Sequence, residues 1–241
     1  MTSYKGYLSV FGGLLIHLTL GTLYCWGNLN PYVTSYIRTY SSPSTLEYSD
    51  TVWVFGLNVF GQGAAMYFGG LLEKRIGTRL AALVGCFLFS ISVFLTAFTV
   101  KVSYYLLLLT HGLCFGLGMG LTYIIPLGLA IRWFPQHKGV ASGFIVAGTG
   151  VGAFIFDQVQ IAYLNPLNVK TVSILEDGAL SISKYFVEES VLVKVPNMFM
   201  LLGGCYFAIQ LIGIGLLFPV DLKKSDEDTE LLVKKSSIQS L

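Results

Sequence analysis

Six runs of apolar residues order the chain, at 7–31, 51–72, 78–99, 104–131, 139–164 and 196–218. Each is long enough to cross a hydrocarbon core as a helix, which takes ~20 residues. Their length predicts helices, because the strands of a membrane barrel would alternate in polarity over ~10 residues. Two longer polar segments interrupt the pattern. The first, 32–50, holds Pro43 and several Ser and Thr; the second, 165–195, carries Glu176, Asp177, Glu188 and Glu189 and is expected to be partly structured. Past Pro219 the pattern turns charged, so residues 220–241 are expected to form a disordered tail. The reading is an all-α membrane protein, one bundle of six transmembrane helices over residues 1–219.

Composition agrees with the pattern. Hydrophobic residues make up 54% and charged residues 12%, with a mean hydropathy of +0.69, against ~25% charged in a soluble domain. A net charge of +2 gives nucleic acid nothing to grip. Cys25, Cys86, Cys114 and Cys205 all fall in apolar runs without CxxC spacing, so neither disulfides nor a metal or other cofactor is expected. The first apolar run is too long for a cleaved signal. No N-x-S/T acceptor occurs in the two polar segments.

Charge placement orients the bundle. Lys5, Lys74, Arg75, Arg79, Arg132, Lys138, Lys223, Lys224, Lys234 and Lys235 fall on one side of the spans. Arg38, Lys101, Lys170, Lys184 and Lys194 fall on the other. Basic residues are retained on the cytoplasmic side, so both termini are expected there.

The turn at 69–79, GGLLEKRIGTR, is compact and basic. Gly69 and Gly70 would allow close helix approach, Gly77 offers positive φ, and Lys74, Arg75 and Arg79 keep the turn on the cytoplasmic side. Such a turn resembles the signature loop between helices two and three of the major facilitator superfamily. Further along, WFP (133–135), KG (138–139) and ASG (141–143) resemble its oxalate:formate antiporter and monocarboxylate transporter branches. GTLYCWG (21–27), NPLN (165–168) and KYF (184–186) point to the first of these. The likeness covers about residues 6–219. One position departs from it: Lys74 stands where the family carries an acid, and the acid, Glu73, comes one residue early.

The resemblance implies a carrier built from two six-helix halves, working by alternating access on small mono- or dicarboxylates. This chain corresponds to one half. The other would come from a longer chain of which this is a part, from a second copy, or from another subunit. An accessory membrane protein without transport of its own is the competing reading. Family helices 1 and 4 line the cavity, and helical spacing places candidates there. His17, Gly21, Tyr24 and Asn28 recur at i, i+4, i+7 and i+11 as one stripe. Tyr123 and the pair Asn58 and Gln62 add polar groups, with Tyr24, Trp26 and Tyr123 as aromatic walls. Helix-to-helix hydrogen bonding is the plainer use of His17, Asn58 and Gln62. Gly112, Gly116 and Gly120, then Gly148 and Gly152, recur every four residues and read as close-packing faces.

The one acid well inside a span is Asp157, with His17 and His111 as further titratable groups. That scarcity favours exchange of one anion for another over proton coupling. Every Lys and Arg maps to a loop, a tail or a span end, leaving no buried cation to clamp a dianion. EDTELL (227–232) resembles an acidic dileucine sorting signal, which leaves plasma and endolysosomal membranes both open. Hydrolase and nucleotide motifs (HExxH, the Walker loop, G-x-S-x-G) do not occur, so an enzyme is not expected.

Overall fold

A computed structural model describes residues 4–175 and 182–220. The first span is built from α1 (Tyr4–Leu20), a tight 3₁₀ turn (Gly21–Cys25) and α2 (Trp26–Tyr40). Then follow α3 (Tyr48–Ile76) and α4 (Thr78–Thr99) as the second and third spans. The fourth span joins α5 (Tyr104–Leu107), a π-helical stretch (Leu108–Cys114) and α6 (Phe115–Trp133). The fifth is α7 (Lys138–Leu164) and the sixth is α9 (Lys194–Gly215). A hairpin of β1 (Val172–Leu175) and β2 (Ile182–Tyr185), and the short α8 (Glu189–Leu192), lie between the last two.

Among the described residues, five helical stretches are long and apolar enough to cross a membrane. The second span, α3, has 29 residues, about 43 Å at 1.5 Å per residue. It has the length but is less apolar, because it carries Asn58, Gln62 and the Glu73–Arg75 charges.

Packing follows small residues. The first span lies on α7 and α9, the second on α6, and the third on α6 and α9. Lipid offers no apolar driving force between helices, so close backbone contact and hydrogen bonds take its place. Gly116 and Gly120 press against Asn58 and Gln62 of α3, and Gly148 and Gly152 against Leu14 and Leu18 of α1. Two glutamines add polar ties. Gln210 accepts from Ser90 at 2.7 Å and donates to Thr19 at 2.8 Å. Gln160 donates to Thr22 at 3.1 Å, and Tyr206 donates to the same Thr22 hydroxyl at 2.7 Å.

The largest departure from the sequence reading is the segment 32–50. It is helical as far as Tyr40, and only the residues just beyond form a loop. The polar side chains that suggest a loop bond within the helix: Ser35 donates to the Pro31 carbonyl at 2.6 Å, Thr39 to the Ser35 carbonyl at 2.9 Å, and Thr34 to Asn30 at 2.8 Å. This extension is capped by the polar segment between spans five and six. Phe186 stacks on Tyr32 at 4.3 Å, its N–H reaches the Ser35 hydroxyl at 3.0 Å, and Arg38 lies over the Tyr185 ring at 4.2 Å. The tail, with its acidic dileucine, lies outside the described residues apart from Val220, which packs against the core.

Candidate functional site

The tight turn Gly21–Cys25 decides which face of the first span is open. An α-helix turns 100° per residue and a 3₁₀ helix 120°, so five such residues rotate everything after them by about 100°. The predicted stripe is therefore split. His17 is fully buried, and Gly21 is pressed so closely on α7 that a Cβ would stand 2.6 Å from the Ala153 nitrogen. Tyr24 (62% exposed) and Asn28 face outward.

His17 is bonded to two neighbouring spans. Its Nε2 lies 3.1 Å from the Tyr123 carbonyl, which can only accept, so the proton sits there. Nδ1 then accepts from the Thr149 hydroxyl at 3.2 Å. The imidazole ties the first, fourth and fifth spans, and both nitrogens are spent. Tyr123 is half-buried with its ring 4.7 Å from that imidazole. It turns toward α1, away from the Gly116 and Gly120 face, which meets α3. Asn58 is buried at 1% exposure in that α3–α6 contact, and Gln62 beside it is half-buried. Packing, not lining, is the visible role of His17, Gly21 and Asn58.

What remains on the open face is a small polar group. The Asn28 amide donates to Asp157 Oδ1 at 2.8 Å, joining the first and fifth spans. Tyr24 stands one helical turn before Asn28 on the same side. The set presents a phenol, an amide and a carboxyl. A phenol, an amide and a carboxyl together are costly against lipid, which makes this face better suited to water or protein. The Asn28–Asp157 pairing joins positions far apart in the sequence and leaves no periodic signal.

At the basic end the signature turn is assembled as a lattice. Gly77 adopts φ +84°, the left-handed conformation that favours glycine. Its N–H closes onto the Glu73 carbonyl at 2.9 Å. Glu73 accepts from the Thr78 hydroxyl at 2.9 Å and forms an ion pair with Arg132 at the end of α6. The early acid thus still bridges two helix ends. Gly69 allows the close approach expected of it, since a Cβ would stand 2.5 Å from the Leu121 carbonyl oxygen. Gly70 does not: nothing lies within 4 Å of its Cβ position. Arg79 reaches elsewhere, donating from Nε to the Leu217 carbonyl at 2.6 Å and from Nη2 to the Gly215 carbonyl at 3.1 Å. Lys74 and Arg75 are exposed.

Comparison with known proteins matches this architecture. Residues 15–156 fit the family model of the Major Facilitator Superfamily. The chain is 33% identical to apicoplast pyruvate carrier 1 of Toxoplasma gondii over 250 residues, covering 89% of this chain and 46% of that protein. Apicoplast pyruvate carrier 2 of the same organism is 25% identical, covering 96% of this chain and 40% of its own. Human monocarboxylate transporter 14 is 30% identical over 136 residues, 55% of this chain and 26% of its own. The chain thus spans less than half the length of these relatives.

Proposed function

The chain belongs to the major facilitator superfamily, and from that premise we propose that it forms the first half of an alternating-access carrier for small monocarboxylates. The observation that carries the reading is the open polar group Tyr24, Asn28 and Asp157, which joins the first and fifth spans on one outward face. It is the kind of surface a second bundle would complete into a cavity. A phenol and an amide suit one carboxylate, and without a Lys or Arg beside them a monoanion is favoured over a dianion. The pyruvate and monocarboxylate carriers among the relatives support the same substrate class. The second half would come from further chain, a second copy or another subunit.

We also assign it exchange of one anion for another. Asp157 is the single carboxyl on this face among the described residues, and the Asn28 amide holds it as an acceptor. Reconstituted with its complete partner half, the protein is expected to take up labelled pyruvate, lactate or formate faster into liposomes preloaded with the same anion. Indifference to these and to oxalate would overturn the substrate class. Asp157→Asn separates the two modes. Under exchange, preloaded counterflow persists and its pH dependence is unchanged. Loss of acid-stimulated uptake in that variant would instead make Asp157 a proton carrier.

A further inference from the structure

The tight turn Gly21–Cys25 is gripped from several sides, and Tyr24 is its one exposed residue. Two long side chains meet on Thr22, which is buried within it. Gln160 of α7 donates from Nε2 to the Thr22 hydroxyl at 3.1 Å, and Tyr206 of α9 donates to the same oxygen at 2.7 Å. The Cys25 thiol donates to the Ala153 carbonyl of α7 at 3.4 Å. Immediately after the turn, the Trp26 indole donates to the Thr51 carbonyl of α3 at 3.0 Å. The second, fifth and sixth spans therefore all hold the turn or the residue that follows it. Gln160, moreover, is a poor residue for packing alone. It is 1% exposed, and its Oε1 is buried without a hydrogen-bond partner among the described residues. An unpaired buried acceptor costs stability that an apolar side chain of similar volume would not. What the amide does contribute is the bond from Nε2 to Thr22.

We propose that Gln160 and Tyr206 are positioning residues for the carried anion and act through Thr22. They hold the turn in its 3₁₀ form, and that form sets Tyr24 and Asn28 on the open face. Contact residues keep a fixed geometry only when bonded supports behind them fix it. Were the turn to relax to an α-helix, everything past it would rotate back by about 100°, the angle of one helical residue. Leu29, now 3% exposed, would then stand close to where Asn28 stands. The buried hydroxyl of Thr22 thus decides whether an amide or an isobutyl group faces the substrate.

This rests on the open polar group being where the anion binds, and the experiment separates the two. In the complete carrier, Gln160→Met, Tyr206→Phe and Thr22→Val are each expected to raise the pyruvate concentration for half-maximal uptake several-fold, with little change in maximal rate. Thr22→Ser, which keeps the hydroxyl, should stay near the original value. Gln160→Met should not lower the thermal unfolding midpoint. A midpoint that falls while the half-maximal concentration holds would overturn the proposal in favour of a purely structural tie. Leu29→Cys, with Cys114 and Cys205 replaced by Ser, reads the turn without any substrate. Its labelling by a water-soluble maleimide should rise several-fold when Thr22→Val or Gln160→Met is added. Unchanged labelling would overturn the proposal whatever uptake does. Labelling that rises while uptake is unmoved would overturn the open polar group as the substrate site, and the positioning role with it.

Discussion

Arg79 shows how much one side chain of the signature turn holds. Helix C-termini leave carbonyls without intrahelical partners, and here the guanidinium takes that of Gly215, the last residue of α9, and that of Leu217 just past it, while lying 5.0 Å above the Phe218 ring. Hydrogen bonds from a charged donor contribute about 1.5–3 kcal/mol each way, so Arg79→Ala should lower the thermal unfolding midpoint in detergent. Arg79→Lys should restore only part of it, since an ammonium cannot reproduce the planar fork. His17→Phe is expected to act on stability alone, costing about 1–3 kcal/mol while leaving the substrate concentration for half-maximal uptake unchanged. A rise in that concentration would return His17 to the cavity. The polarity of His17 within an apolar run was legible in the sequence. Its partners were not, because Tyr123 and Thr149 come from distant parts of the chain.

At the scale of elements, glycine spacing was legible, but spacing does not say which glycines are used. Gly148 and Gly152 meet the backbone of α1, whereas Gly150, between them, has nothing within 4 Å of its Cβ position. Gly152→Ala should therefore force α1 and α7 apart, at a cost of about 1–3 kcal/mol for overpacking. Gly150→Ala should be neutral or slightly stabilising through helix propensity. Thermal melts of the two variants side by side make the comparison, and equal behaviour would contradict the packing described. The π-helical stretch Leu108–Cys114 had no sequence signal at all. Within it, His111 sits among Trp26, Phe115 and Phe199, with ring centroids 5.0–5.2 Å away, from the first, fourth and sixth spans. The helical extension to Tyr40 was hidden, since Ser and Thr signal turns when their hydroxyls have no helical carbonyl to bond.

For the whole molecule, the basic end carries Lys5, Lys74, Arg75, Lys138 and the Glu73–Arg132 pair, and the hairpin cap occupies the other end. We propose that the basic end is cytoplasmic, with both termini there. Gln136→Cys should then react with an impermeant maleimide only from the cytoplasm. Leu167→Cys, at an 82% exposed position, should react only from the opposite side. The reverse pattern would invert the topology. Membrane architecture and family were legible because hydropathy and the 69–79 turn are local features. The cap was only partly so, because it depends on how far the first span reaches. That reach is a matter of screw pitch. A 3₁₀ segment rises about 2.0 Å per residue against 1.5 Å, so the five residues from Gly21 to Cys25 push everything above them about 2.5 Å further along the axis. The stacked rings of Tyr32 and Phe186 stand at the top of that thread. The height of the cap over the membrane is set by the tightness of a turn buried deep in the bundle.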